Sequence, residues 1–240
     1  MYGLSVIMPA FNEAEKIENS INKSLEIFSS FKIPFELIIV NDGSTDSTEG
    51  IVKSISQKNN LVNLVSYPNN QGKGHALKYA SQFANMDLVT FVDADLELNP
   101  IQLKKFIEIM DSTKSDIVIG SKHHPESIVN YPLKRKFLSE GYYLLNRIFF
   151  NLPVKDTQAG LKLFKKEVVN RVFPKMIVKG FAFDLEVLVI ANKLGYKIVE
   201  APIDIHFSRF KSRIGCRSAR NILMDTLGIL YRLKVLKFYD

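Results

Sequence analysis

Leu88-Val89-Thr90-Phe91-Val92-Asp93-Ala94-Asp95-Leu96-Glu97 is an apolar run of strand length that stops abruptly at carboxylates. If the two-residue alternation of a strand persists through them, Asp93 and Asp95 point the same way, and two acids converge at the strand's C-terminal edge. A hard cation such as Mg²⁺ is held by one or two carboxylates together with substrate phosphates, so the pair suits a phosphate-bearing ligand bridged by metal. Asp is also a common turn residue, and the same letters read equally well as a strand ending in an acidic turn. The flanking chain decides between the two.

Upstream, Leu4 to Met8 is a short apolar strand closed by Pro9, and Asn12 followed by Glu15 has the form of a helix N-cap with its reciprocal partner. Ile17, Ile21, Leu25 and Phe28 then recur at helical spacing, and the helix ends before Pro34. Phe35 to Val40 lacks polar alternation after Glu36, as expected of a parallel strand covered on both faces, and it ends at Asn41-Asp42-Gly43. Asp46 and Glu49 suit the start of a second helix carrying Ile51, Val52 and Ile55. A weaker strand follows at Leu61 to Tyr67, then an Asn- and Gly-rich loop from Pro68 to Gly74, then a helix with Ala76, Ala80, Phe83 and Ala84 available for packing. Downstream of the opening stretch, Asn99-Pro100 starts another helix with Ile101, Phe106 and Ile107 on its inner face, and Asp116 to Gly120 supplies a fifth strand.

This alternation predicts a Rossmann-like α/β/α sandwich around a mostly parallel sheet. Ligands in such sheets bind beyond the carboxyl ends of the strands. There the sequence collects Pro9, Phe11, Asn12 and Glu13 after strand one, Asp42 after strand two, and Asp93 and Asp95 after strand four. A nicotinamide enzyme needs G-x-G-x-x-G after the first strand, where this chain has Met8-Pro9-Ala10-Phe11-Asn12-Glu13. A Walker-type phosphate loop is also missing.

Composition narrows the classes further. The 240 residues, 46% of them hydrophobic, suffice for one large core. Cys216 is the only cysteine, which removes a disulfide framework and a cysteine-based zinc site and fits a reducing compartment. No secretory leader precedes the first strand, and no apolar run reaches the roughly 18–20 residues of a membrane span. The net charge of +7 favours anionic partners, with bases dense from Lys122 onward: Lys134, Arg135, Lys136, Arg147, Arg209, Lys211, Arg213, Arg217 and Arg220. No nucleic-acid recognition motif accompanies them, so nucleic acid is not an expected partner.

In this second half the alternation breaks. Phe137 to Val154 reads either as a core helix or as an amphipathic helix in a membrane interface, basic at its entrance and aromatic along one side. Ala159 to Phe164 is a short strand, a helix runs from Asp184 to Leu194 and stops at Gly195, and Ile198 to Phe207, with Pro202 inside it, is an edge or irregular strand. Ala219 to Tyr239 carries Ile222, Leu223, Met224, Leu227, Leu230, Leu233 and Leu236 at helical intervals among basic residues, a second candidate for lipid contact.

Four pieces in order, Val6-Ile7-Met8-Pro9-Ala10-Phe11-Asn12-Glu13, Val40-Asn41-Asp42-Gly43-Ser44-Thr45-Asp46, Gly72-Lys73-Gly74 and Asp93-Ala94-Asp95, resemble the inverting glycosyltransferases of family 2 with a GT-A fold. Asp156-Thr157-Gln158-Ala159-Gly160-Leu161-Lys162-Leu163-Phe164 and Phe183-Asp184-Leu185-Glu186 narrow the resemblance to the polyprenyl-phosphate hexose synthases. The dolichyl-phosphate glucose branch is the most similar, with the mannose branch close. The resemblance implies a single GT-A domain over 1–240, with a nucleotide-sugar half at 1–121, an acceptor-side half at 122–217 and an amphipathic helix at 218–240.

By position, the resemblance puts Pro9, Phe11, Glu13, Val40 and Asp42 around the base and ribose of a UDP- or GDP-linked sugar. Asp93, Ala94 and Asp95 would line the diphosphate, with Mg²⁺ or Mn²⁺ on Asp93, Asp95 and Glu97, a position where glutamine often stands in the mannose branch. Lys122 stands where relatives carry arginine, keeping the charge without the bidentate grip. Arg209 and Arg213 fall where the family closes a basic loop over donor phosphate. Asp156 and Gln158 belong to the acceptor side, Asp156 positioning groups rather than removing a proton. His75 and His206 read as structural, and His123 and His124 carry no assignment.

The expected activity is inverting transfer of glucose or mannose to dolichyl or polyprenyl phosphate by a protein peripherally bound at the cytoplasmic face of a membrane, with room for a membrane-spanning partner subunit. The alternatives are a saccharide or protein acceptor, or a nucleotide-sugar-binding adaptor without turnover.

Overall fold

A computed structural model describes residues 2–129, 141, 143, 146–205 and 216–240. Seven strands form one sheet: β1 (Leu4–Ala10), β2 (Phe35–Asp42), β3 (Val62–Tyr67), β4 (Leu88–Phe91), β5 (Ile117–Ser121), β7 (Lys162–Lys165) and β8 (Ile198–Pro202), in the order β3-β2-β1-β4-β7-β5-β8. All neighbouring pairs are parallel except those of β7, which runs antiparallel to both β4 and β5. A separate parallel pair joins β6 (Ile128–Val129) to β9 (Asp204–Ile205).

The helices α1 (Ile17–Ser29), α2 (Thr48–Ser56) and α4 (Leu103–Thr113) carry the apolar layer on one face. The other layer is built by α3 (Lys73–Ser81), α5 (Lys166–Val172), α6 (Phe183–Lys193) and α7 (Cys216–Lys234). Every residue of β2 is buried, as the apolar run Leu37 to Val40 at its centre requires of a strand covered on both faces.

The expected sandwich is therefore present, with several local differences. Asn12 does not cap α1. It sits at φ +54°, and α1 begins only at Ile17. On α3, Leu77 packs inward with Ala76 and Ala80, while Phe83, beyond the helix end, is left 43% exposed. Ile101 belongs to a 3-10 turn (Pro100–Gln102) capped by the Asn99 side chain, and Leu103 and Met110 join Phe106 in the core in its place. The strand expected at Ala159 starts only at Lys162, and the late strand breaks at Ile203 between β8 on the sheet edge and β9. Helix α5 follows β7 directly and carries Val168, Val169 and Val172 into the core. Of the Phe137–Val154 segment, the described end is helical over 146–150 and buries Phe150 while leaving Ile148 in solvent. Lys134, Arg135 and Lys136 lie outside the described residues.

Helix α7 is amphipathic in fact. Thr226 and Ile229 face the core, and Tyr239 beyond the helix is buried, whereas Leu223, Met224, Leu227 and Tyr231 on the helix, and Val235 and Leu236 just past it, stand in solvent. Among the described residues no helix is long and apolar enough to cross a membrane.

The chain leaves β1 towards β2 and β3 on one side and returns to β4 on the other. The strand order reverses at that point, which opens a crevice beyond the carboxyl ends of β1 and β4. The candidate site residues gather there.

Candidate active site

One wall is made by the loops after β1 and β2, which are laced together. The Asn12 amide donates to Ser44 Oγ at 3.0 Å, and Asn12 Oδ1 accepts from Thr45 N at 2.8 Å. Glu13 N donates to Thr48 Oγ1 at 2.9 Å, and Ala14 N to Asp46 Oδ2 at 3.1 Å. Asp46 also accepts from the Thr48 hydroxyl and amide, which holds its carboxyl below the usual range. Asn12 is thus the latch of this wall, a role its short side chain and tolerance of positive φ allow.

Asp42, at the end of β2, is buried beneath the wall. Its carboxylate accepts from Tyr67 Oη (2.8 Å), Gln71 N (2.7 Å), Gly72 N (3.0 Å) and Asn70 Nδ2 (3.0 Å). A carboxylate has about four lone-pair sites, and these four donors use them. Asp42 therefore anchors the 67–72 loop. Burial, with Asp42 beside it, pushes the Tyr67 phenol well above its ordinary value. Gly43 follows at φ +66°, where a Cβ would lie 2.5 Å from the backbone of Asn69 and Asn70, so only glycine fits. Of the five residues expected around a base and ribose, Val40 is fully buried, Asp42 nearly so, and Pro9 and Glu13 are partly covered. Phe11 presents an exposed ring at the rim.

The loop leads into Gly72-Lys73-Gly74 at the start of α3. Gly72 has φ +95°, and a Cβ there would approach Lys179 O at 2.8 Å; one on Gly74 would approach Val178 O at 2.6 Å. Gly74 N donates to Lys179 O at 2.8 Å. Glycines at both positions let α3 start directly against the 178–179 backbone, more than a plain turn requires. Between them Lys73 extends to Asp93, Nζ to Oδ1 2.6 Å. Burial would lower the Lys73 pKa, but Asp93, Asp184 and Asp95 outweigh it and hold the ammonium above its ordinary value.

Asp93 and Asp95 do not continue a strand. β4 ends at Phe91, and a turn follows in which Leu96 N donates to Asp93 O at 3.0 Å with Leu96 at φ +50°. The acids are brought to the crevice by this turn, not by strand alternation. Ala94 is buried under them, its carbonyl accepting from Ser20 Oγ on α1. Glu97 N donates to Asp95 Oδ1 at 3.2 Å, and the Glu97 side chain is exposed. Among the described residues no three His, Cys, Asp or Glu side chains come together to hold a metal ion. A Mg²⁺ or Mn²⁺ site here would rely on one or two carboxylates completed by ligand phosphates, a donor set that Asp93 and Asp95 fit.

A cavity of about 340 Å³ opens from this turn, with Lys73, Asp93, Glu97, Lys122, Gln158 and Asp184 among its lining residues. Lys122, just past β5, pairs with Asp156 at 2.8 Å and donates its own amide to the same carboxylate at 3.0 Å. Gln158 N takes the other oxygen at 3.1 Å. Burial would raise the Asp156 pKa, but Lys122 and these amides hold it below the usual range. The backbone of 155 and 156 is fixed in turn by Glu200 Oε1. Sequence reasoning missed the third pair: Lys162, fully buried in β7, reaches Asp184 at 2.7 Å and Ala159 O at 2.5 Å. A lysine inside the mostly apolar run Ala159 to Phe164 was the available signal, since a buried ammonium requires a carboxylate nearby. Arg209 and Arg213 lie outside the described residues.

The family description "Glycosyl transferase family 2" matches residues 5–173. A dolichyl-phosphate beta-glucosyltransferase of Trichomonas vaginalis is 33% identical over 99% of this chain and 76% of its own length. Among solved structures, glucosyl-3-phosphoglycerate synthase from Mycobacterium tuberculosis in complex with Mn²⁺, UDP and phosphoglyceric acid superposes with a TM-score of 0.69 at 20% identity, over 95% of this chain and 78% of that one. The Pyrobaculum calidifontis mannosyltransferase in complex with GDP-mannose and Mn²⁺ gives 0.64 at 20% identity, over 98% of this chain and 64% of that one. At those identities the likeness to the solved structures is one of fold, the GT-A arrangement expected from the motifs. With the family match spanning both the latched loops and the acidic turn, the chain belongs to glycosyl transferase family 2.

Proposed function

We propose that the chain transfers glucose from a nucleoside diphosphate sugar to dolichyl or another polyprenyl phosphate, with inversion at the anomeric carbon. The observation that carries this reading is one cavity lined both by the paired Lys73 and Asp93 and by Lys122, whose ammonium is held by Asp156 behind it. The name of the Trichomonas relative supports the acceptor and the sugar.

On this reading Phe11 covers the base at the rim, beside Pro9 and Glu13, and the 67–72 loop anchored by Asp42 shapes the pocket edge. Asp93 and Asp95 would hold Mg²⁺ or Mn²⁺, Glu97 being the nearby acid for a third ligand. When bound, such an ion would supply charge stabilisation for the departing nucleoside diphosphate. Lys73 adds a fixed positive charge at the same place, and Arg209 and Arg213 are assigned to the donor phosphates by family resemblance. Lys122, held still by Asp156, faces the incoming phosphate beside Gln158 and stabilises charge as the bond to the anomeric carbon forms. A lipid phosphate is already anionic near neutral pH, so no strong general base is required. Attack opposite the leaving group gives inversion. The exposed apolar face of α7, with Arg220, Lys234 and Lys237 at its edges, rests on the cytoplasmic leaflet where such an acceptor resides.

The test supplies UDP-[¹⁴C]glucose, and GDP-[¹⁴C]mannose in parallel, with and without dolichyl phosphate. Label that enters the organic phase only when the lipid is present supports the proposal. Label retained in water-soluble glycan would sink it.

A further inference from the structure

Glu186 lies on α6, completely buried, and both of its oxygens are engaged. Oε2 accepts from Ile177 N at 2.9 Å and Val178 N at 2.7 Å. Oε1 accepts from Tyr239 Oη at 2.5 Å and from an Arg232 guanidinium nitrogen at 3.0 Å, while Arg232 Nε donates to Tyr239 Oη at 2.8 Å. One carboxylate therefore joins α7 and the segment beyond it to the backbone of 177–178.

The next two carbonyls of that backbone form the seat of α3. Lys179 O accepts from Gly74 N, and Val178 O lies where a Cβ on Gly74 would have to stand. The same stretch is clamped from α3 by Lys78 Nζ on Pro174 O and Met176 O, and itself donates from Lys179 Nζ to Gln71 Oε1 ahead of that helix. Lys73 sits between the two seated glycines, its ammonium 5.9 Å from the centre of the Phe183 ring at the start of α6. A shift of 177–179 therefore bears directly on the backbone that flanks Lys73 on both sides.

We propose that Glu186 is a positioning residue for the Lys73–Asp93 pair, fixing the 177–179 strap against which α3 sets Lys73, with Tyr239 and Arg232 holding Glu186 in place. It touches neither donor nor acceptor. The consequence for catalysis rests on the transferase reading above; the positioning itself does not.

Two readouts in the full chain separate these. Reductive ¹³C-methylation of lysines reports the surroundings of the Lys73 amine through its methyl resonance at fixed neutral pH, assigned by Lys73→Arg. Tyr239→Phe removes one donor to Glu186 with little change in volume, Glu186→Gln removes the carboxylate, and Met110→Ala in the opposite core layer serves as a destabilised control. Tyr239→Phe and Glu186→Gln are expected to move the Lys73 methyl resonance, and Met110→Ala to leave it in place. In the transfer assay the first two raise the donor KM about threefold to tenfold, the kind of loss that displaced positioning groups produce, with the acceptor KM unaltered. An unmoved Lys73 resonance in both variants overturns the proposal, and so does an equal displacement in Met110→Ala. A displaced resonance in a protein that transfers no sugar supports the positioning and overturns only the transferase reading.

Discussion

Lys122→Ala leaves one buried charge of the site, Asp156, without its counter-ion. Asp156 is 5% exposed and its partner's side chain 16%, with 2.8 Å between charged atoms. Removing one member of a buried pair costs about 3–5 kcal/mol, because the other charge is left without its counter-ion. Asp156 keeps two amide donors, from residue 122 at 3.0 Å and Gln158 at 3.1 Å, which places the cost near the low end, about 3 kcal/mol. For a chain of this size that corresponds to a fall in Tm of about 6–12 °C at neutral pH. The carboxyl's folded pKa is depressed, so its contribution is complete above the ordinary carboxylate value and is lost as pH falls through the lower folded value. The difference in Tm between wild type and Lys122→Ala should therefore be full at pH 7 and shrink below about pH 4. Calorimetry on wild type, Lys122→Ala, Asp156→Asn and the double variant completes the test. Coupling of about 2 kcal/mol or more is expected, since adjacent charges in one network do not add. Additive losses within about 0.5 kcal/mol, or a Tm difference that does not shrink at all as pH falls below the ordinary carboxylate range, would refute the reasoning.

Gly74→Ala forces a Cβ to 2.6 Å from Val178 O and 2.8 Å from Phe183 Cβ, so a stability loss of about 1–3 kcal/mol is expected in urea melts. Because the same shift moves Lys73, transfer should fall further than the folded fraction does. Chelation with EDTA should stop transfer and added Mn²⁺ or Mg²⁺ restore it, with Asp95→Ala remaining inactive after metal is added; transfer indifferent to EDTA would remove the ion from the proposal. Leu227→Glu combined with Tyr231→Glu, both at half-exposed positions on α7, should abolish co-sedimentation with anionic vesicles while leaving Tm within a few degrees. Undiminished binding would put the membrane contact elsewhere on the chain.

The parallel sheet was legible because period and burial agree in β1 and β2, where apolar runs demand cover on both faces. The acids at the strand ends were legible for the same reason, since the sheet dictates where its carboxyl edge lies. The turn at Asp93 was not. Alternation through Asp95 and a turn after Phe91 bring the carboxylates to nearly the same rim, and only the positive φ of Leu96 separates the two. Asn12 failed as a cap because a long-range bond to Thr45 outcompetes the local one to its own helix. Asp42 offered no sign that residues 67–72 would occupy its lone pairs, since those donors are 25 to 30 positions away. Lys162 and Glu186 were open to inference as buried charges in apolar elements, but their partners lie on other segments and are fixed only by tertiary packing.

Lys73 and Lys122, which both line the cavity, are paired in different ways that bear on their work. Lys73 and Asp93 neutralise each other at 2.6 Å while remaining 26% and 45% exposed. An anion drawn to that lysine meets the carboxylate, and a cation drawn to the carboxylate meets the lysine. The pair opens at least cost to a ligand bringing both signs together, such as a diphosphate with its divalent counter-ion, because each member then exchanges one partner for another of like sign. Lys122 and Asp156 have no such freedom, since the carboxylate is buried and pinned by two amides while its backbone is held from Glu200. A cation kept that still is already oriented when an anionic acceptor arrives, and reorganisation it does not undergo is a barrier the reaction does not have to cross. An exchangeable pair for a donor that must be bound and released, and a fixed pair for the group that attacks, is the division of labour that sugar transfer to a phosphate requires.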